Sequence, residues 1–208
     1  MTTSQAQASG FLIANYRDDL EFFKEFQLCL NGSVLPKDYL AKSTSSFQGF
    51  LNGYRIARNV KKPKVPALLE QTIEWVSQHD KLDPDAFASH LKSKLITYGL
   101  ATVAASKLLF LASPTIVLPM DNYSRTALSI KGKPYACFTE AIFELKKRKF
   151  GEIDYCVNVI SEHLSKMESH FEFSELDFQA IRKNRFLDKW LWTLGRNSQT
   201  IESETNGV

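Results

Sequence analysis

The chain has only three cysteines, Cys29, Cys137 and Cys156, widely spaced and without a Cys-x-x-Cys pair. That excludes a disulfide-framed scaffold and points to reduced thiols in a cytoplasmic, intracellular setting. The four histidines, His79, His90, His163 and His170, fall at no metal-ligand spacing, so no metal site is expected. There is no glycine-rich phosphate loop, no Gly-x-Ser-x-Gly, no His-Glu-x-x-His and no readable triad, and no cofactor is implied. The first ten residues, MTTSQAQASG, lack a basic start and an apolar core, so they do not read as a signal peptide. The longest apolar run, residues 95–118, is interrupted by Lys107 and broken by Pro114. It falls short of the ~20 residues that span a bilayer, so it reads as protein core, and no membrane is expected as a partner. Strand-like alternation, repeats and low-complexity blocks are also missing.

What is present is helical. The chain has 208 residues, 44% hydrophobic and 24% charged, with fifteen phenylalanines to fill a core and a mild net charge of +3. Such a charge permits nucleic-acid binding without requiring it. In residues 11–30, Leu12, Tyr16, Leu20, Phe23, Phe26 and Leu30 recur at spacings of three and four, an amphipathic helix stopped by Asn31-Gly32. Further helices are expected over 47–60, 67–79, 84–95, 135–149, 153–170 and 185–195. Asp83 is read as an N-cap with Pro84 at the first helical position, and Gly195 as the end of the last helix. The expected class is all-α, with about eight to ten helices. Residues 1–9 and 198–208 are small and polar and read as disordered. Residues 10–197 form a single helical domain or two lobes.

The most apolar stretch, residues 98–128, organises the rest. A buried helix carries Ala104, Ala105, Leu108, Leu109, Phe110 and Leu111, small residues first and large ones after. Pro114 stops it. Residues 115–118 are β-branched or apolar and read as buried and extended. Pro119 and Met120 then lead to Asp121, placed to cap a second helix against its dipole.

This layout resembles the helix-hairpin-helix DNA glycosylase superfamily. There a hairpin helix leads through a loop ending in Pro-x-Asp to another helix, and the Asp is the catalytic carboxylate. The match here is Pro119-Met120-Asp121, within a hairpin-like core over 95–130. Thr102 falls where bifunctional members carry the nucleophilic lysine, so the resemblance implies one-step hydrolysis of an N-glycosidic bond by a monofunctional or degenerate member. The family hairpin reads Leu-Pro-Gly-x-Gly; residues 96–101 hold one glycine, Gly99. The family's iron–sulfur cysteines have no counterpart.

The resemblance makes Asp121 the expected catalytic residue and DNA the expected partner. Tyr98, Gly99 and Thr102 would form the turn facing phosphate. Arg125, on the helix after Asp121, is either an anchoring cation or a local ion-pair partner. Lys146, Lys147 and Arg148 belong to a basic run with a DNA-facing reading and a plainer one, as cations opposing a helix dipole. Trp192 is placed to be exposed, since Trp190 claims the core side. The competing expectation is a catalytically silent helical module that binds another protein.

Overall fold

The computed structural model describes residues 1–132, 134–171 and 177–205, with side chains described as far as residue 198. Every regular element described is helical: α1 (Thr3–Leu30), α2 (Pro36–Ala41), α3 (Phe47–Gly53), α4 (Val65–Gln78), α5 (Pro84–Ser93), α6 (Thr102–Ala112), α7 (Asn122–Ala127), α8 (Tyr135–Val159), α9 (Ser161–Glu168) and α10 (Phe178–Thr205). The all-α class holds among the described residues. None of these helices is long and apolar enough to cross a membrane.

The chain divides into two compact units. One is discontinuous, residues 1–17 with 120–208; the other is the uninterrupted stretch 18–119. The boundary at 119/120 falls inside the stretch read as one hairpin-like core.

In the discontinuous unit, α1 begins at Thr3, where the sequence reads as disordered over 1–9. Tertiary contacts explain the difference. Gln5, Ala8 and Ser9 are buried, Gln5 Nε2 donates to Glu152 Oε2 at 3.0 Å, and Trp190 Nε1 donates to Ser4 Oγ at 3.4 Å. The expected helix end at 149 falls at a kink: within α8 the backbone of Lys149 is non-helical (φ −115°, ψ 15°), and a second helical segment runs on to Val159. The expected helix over 153–170 is divided at Ile160, after which α9 follows. α10 continues past Gly195, the expected stop, to Thr205, within the stretch 198–208 read as a disordered tail. Residues 206–208 of that stretch lie outside the described residues, as do Lys133 and residues 172–176.

Gly195 serves packing instead. A Cβ built there would overlap the carbonyl oxygen of Tyr123 and lie 2.8 Å from its Cα, so α7 rests its backbone directly on α10. Beside that crossing, Trp192 meets Phe11 and Tyr123 edge-on, with centroids at 5.3 and 5.5 Å, and Arg196 lies over its ring. Trp192 is therefore half-covered, not an exposed patch. A polar cluster is buried in the same unit. Tyr16 Oη donates to Glu168 Oε1 at 2.6 Å, and Arg182 grips both oxygens of Glu168 while also donating to Ser165 Oγ.

In the continuous unit, the later half of α1 carries the predicted apolar stripe inward. Phe23 meets Phe110 of α6 edge-on at 5.1 Å, and Phe22 meets Phe50 of α3 at 5.6 Å. Gly32, at φ +80°, ends α1 as expected. α3 stops at Gly53, short of the expected residue 60, because Arg55 enters the left-handed region (φ +57°) and Ala57–Asn59 tightens into a 3-10 turn. Asp83 caps α5 as predicted, accepting from the amides of Asp85 and Ala86.

Tyr39 of α2 is fully buried, and its hydroxyl has no hydrogen-bond partner. Burial first, then Cys29 and Glu25, push its pKa well above the ordinary value. The folded state therefore holds the proton where an unfolded tyrosine gives it up, near pH ~10, so stability declines as pH rises past that point. Tyr39→Phe removes an unsatisfied group and its alkaline penalty. The expected result is a gain of about 1 kcal/mol at neutral pH and a larger gain above pH ~10, measured by urea unfolding.

Candidate functional site

Asp121 sits where the sequence places it, at the N-cap of α7, in extended conformation (φ −143°, ψ −177°). It is half-buried. Its Oδ1 accepts from the Ser124 amide at 2.7 Å, while Ser124 Oγ accepts from the Asp121 amide at 2.9 Å. This reciprocal capping box satisfies two helix-terminal donors at once. Oδ2 has no hydrogen-bond partner among the described residues and faces no competing duty. Of the two amides the sequence offers to the Asp121 carboxylate, those of Tyr123 and Ser124, the structure uses that of Ser124. The returning bond to Ser124 Oγ is the part not foreseen, although Asp-x-x-Ser before a helix carries the capping-box spacing.

The approach to Asp121 is only partly as expected. Pro114 ends α6 with a turn, and Ile116 points outward rather than into the core. Val117, Leu118 and Met120 are buried and irregular in conformation. Arg125 does not pair with Asp121. Its Nη2 donates to Asn122 Oδ1 at 2.5 Å, and its Nε is buried without a partner.

The turn between α5 and α6 lies in the continuous unit, whereas Asp121 and Arg125 lie in the discontinuous one. Leu95 takes a left-handed conformation (φ +56°) and reverses the chain after α5. The amide of Lys61 donates to Ile96 O at 3.1 Å, and that of Tyr98 to Asn59 O at 3.2 Å. These two bonds close an antiparallel bridge between Val60 and Thr97. Tyr98 is 72% exposed and so is not a core residue. Gly99 is outside the left-handed region, and a Cβ there would meet nothing within 4 Å. Nothing in its surroundings demands glycine. Thr102 opens α6, whose N-cap, Ala101, offers no side-chain bond.

The basic run lies in the discontinuous unit at the kink of α8, where Lys149 leaves helical φ/ψ and the first helical segment ends, so its cations keep the last-turn position that opposes a helix dipole. Lys146 turns inward, and its Nζ donates to Asn184 Oδ1 at 2.7 Å; burial lowers its pKa. Lys147 and Arg148 are exposed, with Arg148 Nε donating to Glu144 O at 3.3 Å. Lys149 pairs with Glu152. The four cations thus divide between inward support and solvent. The inward role of Lys146 depends on a residue far along the chain and leaves no local signal.

Among the described residues, no group of three or more His, Cys, Asp or Glu side chains is arranged to hold a metal ion. Compared with known proteins, the chain matches no family model, no curated protein and no solved structure.

Proposed function

We propose that this chain is a DNA-binding protein with a helix-hairpin-helix glycosylase-like arrangement, in which Asp121 supplies the carboxylate for hydrolysis of an N-glycosidic bond. The observation that carries the reading is the placement of Asp121. It follows an apolar helix and a buried Pro119-Met120 approach, it is held rigidly through one oxygen, and it keeps the other oxygen unengaged. A carboxylate so fixed stabilises positive charge developing on a sugar, or takes a proton from an attacking water. With Thr102 in place of an amine, no covalent intermediate is expected there, and the reaction is a single displacement by water.

The test is base release from duplex DNA carrying alkylated, oxidised or deaminated bases. Asp121→Asn keeps a good N-cap and so keeps the fold. Release by the wild type, reduced at least about a hundredfold in Asp121→Asn, is the expected outcome. Absence of release by the wild type, or equal release by the variant, removes the catalytic reading.

One observation favours a second reading, a non-catalytic helical module for a protein partner. The capping box alone gives Asp121 a structural duty, worth about 1 kcal/mol. On that reading Asp121→Ala lowers stability and Asp121→Asn changes nothing.

A further inference from the structure

The continuous unit carries two long stretches without a carboxylate. Residues 54–69 hold Arg55, Arg58, Lys61, Lys62 and Lys64, and residues 86–120 hold Lys92, Lys94 and Lys107, with no Asp or Glu in either. The bridge between Val60 and Thr97 binds these two stretches side by side. Its two central residues are buried, while Lys62, Lys64, Lys92 and Lys94 are exposed and Lys61 is half-exposed. None of these five lysines makes an ion pair or a side-chain hydrogen bond among the described residues. In a chain with 26 basic and 23 acidic residues, that segregation is a local excess of positive charge on a mildly charged protein.

The same turn presents apolar groups to solvent. Leu95, Tyr98 and Leu100 are 65%, 72% and 62% exposed. Proline and 3-10 geometry stiffen the opposite strand of the surface at Lys62–Lys64, and the bridge stiffens the turn. Cations flanking a protruding aromatic ring match a polyanion with accessible base faces. Lysines track phosphates, and a ring stacks on a base that has lost its neighbour. An acidic protein offers charge without the regular spacing of phosphates beside stackable rings that a nucleic acid supplies.

We propose that the bridged surface formed by Lys61–Lys64 and Lys92–Leu100 binds DNA at a point where a base is unstacked, the lysines holding the backbone and Tyr98 covering the exposed base. This rests on the DNA-binding half of the glycosylase-like reading, which already turns Tyr98 toward DNA, and it uses none of the chemistry assigned to Asp121.

The experiment is fluorescence anisotropy with the full chain, using a labelled duplex, the same duplex with a single-nucleotide gap, and poly-glutamate as an acidic control. The wild type is expected to bind the gapped duplex at least about tenfold more tightly than the intact one. The triple variant Lys61→Glu/Lys62→Glu/Lys64→Glu is expected to lose at least about tenfold in affinity for both. Its log affinity should fall less steeply with log salt, by about 2.7 units of slope, as fewer counterions are released. Tyr98→Ala should lose the preference for the gap while keeping the salt slope. All substituted side chains are half-exposed or exposed, and thermal melts report whether each variant folds. No binding by the wild type at low salt, wild-type affinity in the triple variant, or equal affinity for poly-glutamate each overturns the proposal. An unchanged gap preference in Tyr98→Ala overturns the stacking role. Asp121→Asn is expected to bind as the wild type does, so loss of base release with binding intact strikes only the catalytic reading.

Discussion

Gly195→Ala is expected to lower stability by about 3 kcal/mol, although it replaces glycine inside a helix. Helix propensity alone favours alanine by ~1 kcal/mol. Here the new methyl would overlap the carbonyl oxygen of Tyr123. Backbone cannot rotate aside as a flexible side chain can, so α7 has to move away from α10. Overpacking typically costs about 1–3 kcal/mol, and backbone against backbone belongs at the top of that range. The consequence reaches the candidate site, because Tyr123 lies in the six-residue helix that Asp121 caps. Gly10 supplies the comparison. It too lies inside a long helix, but a Cβ there meets nothing within 4 Å. Gly10→Ala is expected to stabilise by up to about 1 kcal/mol. Urea unfolding of both variants checks the pair. A Gly195→Ala protein as stable as the wild type, or stabilised as Gly10→Ala is, would mean that α7 is not seated on Gly195.

Glu168→Ala is expected to cost about 3–5 kcal/mol. The carboxylate accepts from Tyr16 and from two nitrogens of Arg182, and both ionic partners are largely shielded from water, with side-chain exposures of 12% and 8%. Removing it strands a phenol hydroxyl and leaves the shielded guanidinium with only the neutral Ser165 Oγ as acceptor. Tyr16→Phe removes only one bond to a charged acceptor, and about 1.5–3 kcal/mol is expected. Arg182→Met together with Glu168→Leu removes both charges. That double change is expected to recover most of the loss, because well-packed apolar groups replace a buried pair at little net cost. A double variant as unstable as Glu168→Ala would show that the cluster stabilises through something other than charge compensation.

Much of the helical content is legible in the sequence because its causes are local. Leu12, Tyr16, Leu20, Phe23 and Phe26 are all buried, as their spacing requires. Asp83 before Pro84 and Asp121 before Asn122 act as caps, since a cap is decided within three residues. What escapes notice is decided by distant partners. The polar N-terminus becomes helix and core because Glu152 and Trp190 receive it. Gly195 reads as a stop because its neighbour Tyr123 is remote in sequence. Trp192 reads as exposed because nothing local announces Phe11 and Tyr123. Arg185, an ordinary surface residue by type, is almost wholly enclosed with Asp188 one helical turn away. At the candidate site, the position of Asp121 is legible and its bond to Ser124 nearly so. The bridge that sets Lys61 beside Ile96 is not, since one pair of residues leaves no strand period to read.

The order of the chain through its two units has a kinetic meaning during synthesis. Residues 18–119 emerge from the ribosome as one uninterrupted block and need no later sequence to complete their unit. The seventeen residues ahead of them belong to the other unit and have to wait. Tyr16 meets its acceptor 152 positions downstream, and Ser4 its indole partner 186 positions downstream. Closing loops of that size adds entropy only logarithmically, so the finished protein loses little by the arrangement. The nascent chain bears the cost as waiting time, with the apolar face of its first helical turns uncovered until α9 and α10 have been made.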